Sequence, residues 1–284
     1  MKIIVTGGHG QLGSETKDLA KQHPEHDFVF TDRDDLDITD SDAVKDFFAK
    51  HQPHAVIHGA AYTAVDKAEL EKEVAYAVNA TATEYITQAC KAHNARLVMI
   101  STDYVFDGNG TEPYLPNHTT NPVNYYGYTK LHGEQAALSY ANAVVIRTSW
   151  VYSVYGANFV KTMLRLMKEK PQLNVVNDQV GCPTYAKDLA LAAFTVITHP
   201  NFVGGVHHFS NSGIINWFQF AQQIQANANL TNCVVGGIPS TQYPTPAKRP
   251  SYSAMNTESI QQTYQVAVRS WQDALQECMQ ALAV

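Results

Sequence analysis

A phenol and an ammonium group stand four residues apart at Tyr126 and Lys130. Side chains at positions i and i+4 share one face of a helix, so the two groups can act together. A free tyrosine ionises near pH ~10, and a nearby cation favours its phenolate. A phenol whose pKa is lowered in this way can protonate a carbonyl oxygen near neutral pH, as the reduction of a ketone requires. The pair alone is a weak signal, because the same spacing occurs by chance on many helix surfaces.

Tyr125 and Tyr128 compete with Tyr126 for the role of proton donor. Tyr128 is two residues from Lys130 and therefore falls on a different face of the helix. Tyr125 is five residues from Lys130 and is less well aligned with the ammonium group. The spacing therefore favours Tyr126.

Two hydroxyl side chains, Ser101 and Thr102, directly follow a predicted strand at residues 96–100. A hydroxyl at this place can hydrogen-bond a carbonyl oxygen or the phenol and hold both in position for reaction. The alternative is that both residues cap a turn, as Ser and Thr often do. Because Tyr126 and Lys130 are also present, we favour the catalytic interpretation of these two hydroxyls.

The elements that must position these groups begin with a strand, a glycine-rich turn and a helix at the amino terminus. The strand, residues 2–6, is apolar and β-branched, which is typical of a buried parallel strand. The glycines of the turn are Gly7, Gly8, Gly10 and Gly13. Either of the first two completes a dinucleotide-type spacing with the last two, G-x-x-G-x-x-G or G-x-G-x-x-G. Glycines can also mark a tight turn, but their place between a strand and a helix indicates pyrophosphate binding.

Asp32 ends the second predicted strand, residues 28–31, and lies about 20 residues beyond the glycines. A carboxylate at this place can bind the 2′-hydroxyl of an adenosine ribose, which favours NADH. Arg33 comes next and can instead accept the 2′-phosphate of NADPH. The sequence therefore leaves the choice between NADH and NADPH open. Most of the acidic side chains from Asp32 to Asp37 fit a solvated turn.

Strand-like and helix-like segments alternate through the first half of the chain, as in a parallel sheet covered by helices on both faces. We therefore expect an α/β fold, a Rossmann-type doubly wound parallel sheet that binds ligands beyond the carboxyl ends of its strands. Residues 1–150 are the expected dinucleotide-binding domain, and residues 151–284 are a smaller substrate-binding region, partly interleaved with the first. Further predicted strands lie at residues 55–58, 143–146, 173–176 and 203–209. Predicted helices lie at residues 14–22, 41–51, 69–93, 125–140, 158–169 and 187–198, with a final amphipathic helix from 271 to 282 and an ordered loop at 236–253.

The composition argues against several functional classes. A net charge of −6 without a basic run does not fit nucleic acid as a partner. No apolar segment is long enough to span a membrane, and the short apolar run at the amino terminus does not fit a signal peptide. The four cysteines are scattered without a C-x-x-C pair, which indicates neither a zinc site nor a disulfide framework. We expect a cytoplasmic enzyme without a bound metal.

Motifs along almost the whole chain resemble the extended short-chain dehydrogenase/reductase family. The matching stretches are residues 7–13, 60–69, 78–81, 101–106, 126–130, 147–152, 177–184 and 244–250. The later stretches are more specific than the glycines and resemble the branch of the family that reduces a dTDP-linked keto sugar. The resemblance implies NADPH- or NADH-dependent reduction of the C4 ketone of dTDP-4-dehydro-L-rhamnose to dTDP-L-rhamnose, a sugar donor for the cell envelope.

The resemblance also implies roles for individual residues. Tyr126 would donate the proton, and Lys130 would bind the nicotinamide ribose and lower the pKa of the phenol. Thr102 would orient the reacting oxygen and, with Asp103 and Trp150, would face the sugar. The predicted cofactor-binding residues, besides Tyr126 and Lys130, are Gly7, Gly10, Gln11, Leu12, Gly13, Asp32, Arg33, Asp37, Ile38, Ala61, Tyr62 and Thr63.

Lys248 and Arg249, bracketed by two prolines, are the strongest cationic candidates for the diphosphate of a sugar nucleotide. Arginine suits phosphate because its planar guanidinium group donates hydrogen bonds in pairs, so we predict Arg249 in the substrate site. The alternative is an exposed surface pair. Trp150 can stack on the sugar or base, or pack in the core.

One departure from the family pattern concerns metal binding. The resemblance implies that some members of the family form dimers in which carboxylates bind a bridging Mg²⁺. Glu15 matches one of these carboxylate positions. Lys187 stands where those members carry an acidic ligand, and an ammonium group repels Mg²⁺. We therefore predict no metal-bridged dimer and expect a monomer or a weak homodimer.

Two alternative functions stay open. An epimerase or dehydratase of the same family would keep a tightly bound NAD⁺; Asp103 is present, but the Asp-Glu pair usual in dehydratases is not. A non-catalytic nucleotide-binding regulatory subunit would have no need for the set Thr102, Tyr126 and Lys130.

Overall fold

The structure, a computed structural model, describes residues 1–283. In the first half, strands and helices alternate as the sequence predicts. The elements are β1 (Lys2–Thr6), α1 (Gln11–Ala20), β2 (Asp27–Thr31), α2 (Ser41–His51), β3 (Ala55–His58), α3 (Val65–Ala68), α4 (Lys72–Tyr76), α5 (Ala82–Ala92), β4 (Arg96–Thr102), α6 (Tyr125–Leu138) and β5 (Ala143–Thr148).

In the second half, the strands are shorter and the pattern is less regular. The elements are β6 (Val151–Tyr152), α7 (Phe159–Glu169), β7 (Gln172–Val176), β8 (Val180–Gly181), β9 (Thr184–Tyr185), α8 (Ala186–Thr198), β10 (Gly205–His208), β11 (Ile215–Asn216), α9 (Trp217–Asn227), β12 (Val234–Ile238), α10 (Glu258–Tyr264) and α11 (Trp271–Ala281). Within residues 1–283, no helix is both long and apolar enough to cross a membrane.

Six strands form one sheet in the order β10-β5-β4-β3-β1-β2, and every neighbouring pair is parallel. The chain runs outward from β1 to β2 and then returns to the other side of β1 with β3. Thr6 at the end of β1 therefore lies between Thr31 and His58. This reversal makes the β1/β3 edge the topological switch point, where doubly wound sheets bind ligands. The predicted Rossmann-type parallel sheet is confirmed.

The sheet is buried on both faces, because successive strand residues point in opposite directions. Ile3 of β1 packs with Leu189 of α8 on one face. Ile4 packs with Phe48 of α2 and Ile86 of α5 on the other. Burial on both faces explains why these strands are continuous apolar runs instead of alternating ones.

Two local predictions are wrong. The predicted helix at 69–93 is interrupted, because a π-helical turn, Ala77–Thr81, separates α4 from α5. The predicted loop at 236–253 begins inside β12, which pairs with β7. Its glycines suggest a loop, but Gly237 instead lets the strand approach Asn177, whose amide nitrogen would lie 2.8 Å from a Cβ at that position.

Candidate functional site

A cleft of about 990 Å³ opens beyond the carboxyl ends of the central strands. Thr6, Gly59, Thr102 and Thr148, which end or follow β1, β3, β4 and β5, line it. Most of the predicted site residues lie along this one cleft. They are Gly7, Gly10, Gln11, Leu12, Asp32, Arg33, Asp37, Ile38, Ala61, Thr63, Thr102, Asp103, Tyr126, Lys130 and Trp150.

The glycine turn after β1 forms one wall of the cleft at the switch point. Gly7 has a φ of +74°, and a Cβ there would lie 2.9 Å from the backbone nitrogen of Ala60. A Cβ at Gly13, which does not line the cleft, would lie 2.3 Å from the Gly7 carbonyl oxygen. Side chains are therefore excluded at both positions. Helix α1 begins at Gln11, after Gly10, without a side-chain cap, so its first N–H groups suit a phosphate.

The carboxylate of Asp32 is fixed at the end of β2. Its Oδ2 accepts a hydrogen bond from the His9 backbone nitrogen at 2.8 Å, and its Oδ1 accepts one from the Arg33 backbone nitrogen at 2.9 Å. Burial raises the pKa of Asp32, but these two donors, together with the charges of His9 and Lys17, outweigh burial and hold the pKa below its ordinary value. An ionised carboxylate here suits a ribose hydroxyl, while Arg33, Asp37 and Ile38 line the same end of the cleft.

Helix α6 lies close against the turn that follows β4. Its N-cap residue, Asn124, accepts a hydrogen bond from the Gly127 backbone nitrogen at 2.8 Å. A Cβ at Gly127 would lie 2.1 Å from the carbonyl oxygen of Tyr104, so only glycine permits this approach. The first turn of α6 therefore carries Tyr126 to the strand end that bears Thr102.

Thr102, Tyr126 and Lys130 are buried and line the same part of the cleft. The Lys130 ammonium donates a hydrogen bond to the Ile100 carbonyl oxygen at 2.7 Å. The Thr102 hydroxyl donates to Asp103 Oδ1 at 3.0 Å. A phenol, an ammonium group and a hydroxyl thus line a common space.

Burial dominates the protonation of these groups. It raises the pKa of the Tyr126 phenol; a hydrogen bond with Thr102 acts against this shift, and the Asp103 carboxyl acts with it. Burial lowers the pKa of Lys130 to about 8, opposed by the charge of Glu134. Burial also raises the pKa of Asp103 to about 6. The expectation of a lowered pKa for the phenol is wrong in direction, because burial raises this pKa and the Lys130 ammonium does not offset the rise.

The competing tyrosines lie elsewhere. Tyr125 and Tyr128 line a small hollow on the surface, and their rings stack with centroids 5.4 Å apart. Tyr128 is 42% exposed, whereas Tyr126 is 8% exposed. Of the three tyrosines, Tyr126 is the one that lines the large cleft.

A buried ion pair that the sequence did not reveal fixes α6 to the sheet. Arg147 of β5 donates to Glu134 Oε2 at 2.7 Å, and both side chains are at most 5% exposed. The Ser101 hydroxyl donates to Glu134 Oε1 at 2.5 Å. Glu134 lies one helical turn after Lys130. One carboxylate therefore links the helix of Tyr126 to β4 and β5.

Asn79 is a second residue that sequence reasoning left without a role. Its side-chain nitrogen donates to the Tyr62 carbonyl oxygen at 3.1 Å and to Thr129 Oγ1 at 2.9 Å, and its Oδ1 accepts from the Tyr62 backbone nitrogen at 2.8 Å. The backbone around Tyr62 is thereby held beside α6. The Tyr62 hydroxyl itself donates to Glu71, away from the cleft. The motif at residues 78–81 was the available sequence signal, and the structure adds a π-helical turn there, a feature frequent at functional sites.

Arg249 does not line the large cleft. Its guanidinium forms a bidentate pair with Asp66, with Nη2 2.8 Å from Oδ2 and Nη1 bound to Oδ1. Asp66 raises the pKa of Arg249, and the nearby phenol of Tyr104, which does line the cleft, acts in the same direction. Arg249 therefore lies behind the wall that faces Tyr126.

Lys187 and Glu15 lie apart from this site. Lys187 pairs with Glu277, which also pairs with Arg269. Glu15 is buried and accepts a hydrogen bond from the Ser153 hydroxyl at 2.6 Å. Among the described residues, no group of three or more His, Cys, Asp or Glu side chains could hold a metal ion.

Known proteins match the chain over almost its full length. The family described as RmlD substrate binding domain matches residues 1–284. The spore coat polysaccharide biosynthesis protein SpsK of Bacillus subtilis is 38% identical, covering 98% of this chain and 97% of the relative. The dTDP-4-dehydrorhamnose reductase of Escherichia coli K12 is also 38% identical, covering 99% and 98%. A crystal structure of dTDP-4-dehydrorhamnose reductase from Bacillus anthracis in complex with NADP has a TM-score of 0.94 and 37% identity, covering 99% of each chain. The chain belongs to the RmlD substrate binding domain family.

Proposed function

We propose that the protein is an oxidoreductase that reduces the C4 ketone of dTDP-4-dehydro-L-rhamnose to give dTDP-L-rhamnose, with NADPH or NADH as the reductant. The observation that carries this proposal is the convergence of Thr102, Tyr126 and Lys130 in one cleft with the glycine turn. The names of the Escherichia coli and Bacillus anthracis relatives support it, as does the NADP bound in the latter structure.

The cleft fits the cofactor at its glycine-rich end. The close approach at Gly7 and the uncapped start of α1 suit the pyrophosphate, and Asp32 and Arg33 suit the adenosine ribose or its 2′-phosphate. When bound, the reduced nicotinamide supplies the hydride that the ketone carbon accepts. Lys130 would hold the nicotinamide ribose.

The chain's own groups supply the proton and the orientation. Tyr126 is neutral at physiological pH, because burial raises the pKa of its phenol, so it carries the proton that the ketone oxygen takes up as hydride transfer turns it into a more basic alkoxide. The Lys130 ammonium stabilises the phenolate that remains. The Thr102 hydroxyl orients the carbonyl oxygen, with Asp103 and Trp150 beside the sugar.

Tyr126→Phe tests the proposal directly. We expect kcat for reduction of the keto sugar to fall by roughly 10²–10⁴-fold, the usual contribution of general acid catalysis, with NADPH binding retained. Tyr128→Phe is the matched control, because it removes an exposed hydroxyl from the same helix, and its kcat should match the wild type. Unchanged turnover in Tyr126→Phe would contradict the assignment.

We further propose a cytoplasmic monomer or weak homodimer. Cys90, Cys182, Cys233 and Cys278 are free and buried, as is usual in a reducing compartment. The pairing of Lys187 with Glu277 supports the absence of a Mg²⁺ bridge at that surface. Light scattering with and without Mg²⁺ checks this, and a dimer that forms only with Mg²⁺ would contradict it.

A further inference from the structure

Two stacked indole rings form one end of the cleft. The ring centroids of Trp150 and Trp217 are 3.6 Å apart, and the ring planes differ by 12°. Both side chains line the cleft that contains Thr102 and Tyr126. The sequence singled out Trp150 as a candidate for the sugar but gave no role to Trp217.

Trp150 has a backbone conformation that bulky residues rarely adopt. Its φ is +48°, in the left-handed region. The Ser149 hydroxyl before it donates to the Cys182 carbonyl oxygen at 2.6 Å, which fixes the chain at this point. A Cβ at Gly181 would lie 2.8 Å from Trp150 Cε2, so the indole also rests against the Gly181 backbone. Backbone strain of this kind, held by the surrounding structure, is concentrated at ligand-binding sites.

Trp217 is held rigidly by the start of α9. Asn216 caps this helix: its side chain accepts from the Gln219 backbone nitrogen at 2.8 Å, and its backbone nitrogen donates to Gln219 Oε1 at 2.9 Å. The Phe159 ring lies 4.6 Å from the Trp217 ring and stacks on Phe220 in the core. Trp217 thus connects the core of the second half to Trp150.

The register of the sheet places the indole pair beside the reacting groups. Thr148, at the end of β5, lies opposite Thr102, at the end of β4. Trp150 comes two residues after Thr148, so it lies next to the end of the cleft where a ketone would meet Tyr126. A sugar ring bound there would present its C–H groups and its deoxy C6 methyl to a flat apolar indole, which suits an aromatic surface.

We propose that Trp217 is a positioning residue for substrate specificity: it fixes the Trp150 indole as the apolar wall against which the deoxysugar of the sugar nucleotide binds. The inference rests on the proposed function, because it takes a sugar nucleotide as the ligand. Trp217 acts through Trp150 and leaves the cofactor end of the cleft unchanged.

Binding of the product, dTDP-L-rhamnose, measured by calorimetry, tests the inference without requiring turnover. We expect Trp217→Leu to raise the Kd for dTDP-L-rhamnose about tenfold and to leave the Kd for NADPH unchanged, with Trp217→Phe closer to the wild type. Trp271→Phe is the matched control, because Trp271 is buried in the core of the second half and does not line the cleft. It should lower the melting temperature without changing either Kd.

Circular dichroism provides a second readout, and the far-ultraviolet spectrum of each variant shows separately whether it is folded. Two stacked indoles couple their transitions, and they give a paired positive and negative band when one ring is rotated in its plane relative to the other. The chain has three tryptophans, so the coupled pair can be assigned. We expect the paired band in the wild type and in Trp271→Phe, and its loss in Trp150→Phe and Trp217→Phe.

The outcomes separate the inference from the proposed function. An unchanged Kd for dTDP-L-rhamnose in Trp217→Leu, or a paired band that survives Trp217→Phe, overturns the inference. A wild type that binds dTDP-L-rhamnose with the expected dependence on Trp217 but never oxidises NADPH with the keto sugar supports the inference and overturns the reductase. A wild type that does not bind dTDP-L-rhamnose overturns both.

Discussion

The burial of Lys130 predicts an upper pH limit for the reaction. Burial lowers the pKa of this ammonium from 10.5 to about 8, and in the proposed reaction Lys130 acts in its protonated form. We therefore expect kcat/KM to be constant below the pKa and to fall about tenfold for each pH unit above it. At a pH one unit above the pKa, kcat/KM would be about one tenth of its plateau value. The Tyr126 phenol stays protonated throughout this range, because burial raises its pKa.

The same shift has a consequence for folding. The pKa of Lys130 is lower in the folded protein than in the unfolded chain, so the unfolded chain binds more protons between pH 8 and 10.5 and stability rises with pH across this window. Below it, the buried ammonium costs roughly 3 kcal/mol of folding free energy. We expect Lys130→Met to gain stability at neutral pH by up to that amount and to lose activity, measured by denaturant unfolding and by NADPH oxidation.

The predicted pH dependence of kcat/KM is measured from initial rates of NADPH oxidation at low keto-sugar concentration, from about pH 6 to about pH 10. Lys130→Arg is the control, since a guanidinium group stays protonated throughout and the decline above pH 8 should disappear, at a lower rate overall. A wild-type kcat/KM that stays constant to pH 10, or a decline that persists in Lys130→Arg, would refute the reasoning.

Three further predictions concern residues around the cleft. Asp32→Ala removes a carboxylate that repels a 2′-phosphate, so the ratio of kcat/KM for NADPH to that for NADH should rise about tenfold; an unchanged ratio would place Asp32 outside the ribose site. Glu134→Leu leaves the buried guanidinium of Arg147 unpaired and should lower the free energy of unfolding by about 3–5 kcal/mol. The double variant Glu134→Leu with Arg147→Met should regain most of this loss, and an equal loss in the single and the double variant would contradict the coupling of the two residues. Because Arg249 lies behind the cleft wall and pairs with Asp66, Arg249→Ala and Asp66→Asn should each raise KM for the keto sugar about tenfold; a much larger increase in Arg249→Ala alone would indicate that the guanidinium binds the diphosphate directly.

The strands and helix α6 could be predicted because local pattern determines them. Ala55–His58 is a strand where a short apolar run predicts one, and Ser41–His51 is a helix with the predicted bounds. Tyr126 could be separated from Tyr128 by helical geometry alone, since two residues correspond to opposite faces. In each case, the deciding information lies within a few residues of the feature.

The parts that could not be predicted depend on contacts between distant segments. Asn79 bonds Thr129, 50 positions along the chain, and Arg249 bonds Asp66, 183 positions away. Trp217 reaches the cleft only because α9 places it against Trp150. The pKa of Tyr126 follows its burial, which spacing from Lys130 does not reveal. Tertiary contacts therefore decide the electrostatics and the substrate end of the site.

The strand β10 (Gly205–His208) pairs with β5 at the edge of the central sheet, although it comes from the second half of the chain. A fragment that stops after residue 150 would therefore leave β5, whose residues are all buried in the intact protein, with an unpaired edge. Such an edge recruits strands from other molecules and leads to aggregation. A change of sugar preference is therefore better engineered by replacing single loops in the intact chain. Chimeras that join amino- and carboxy-terminal halves of different proteins would disrupt the pairing of β10 with β5.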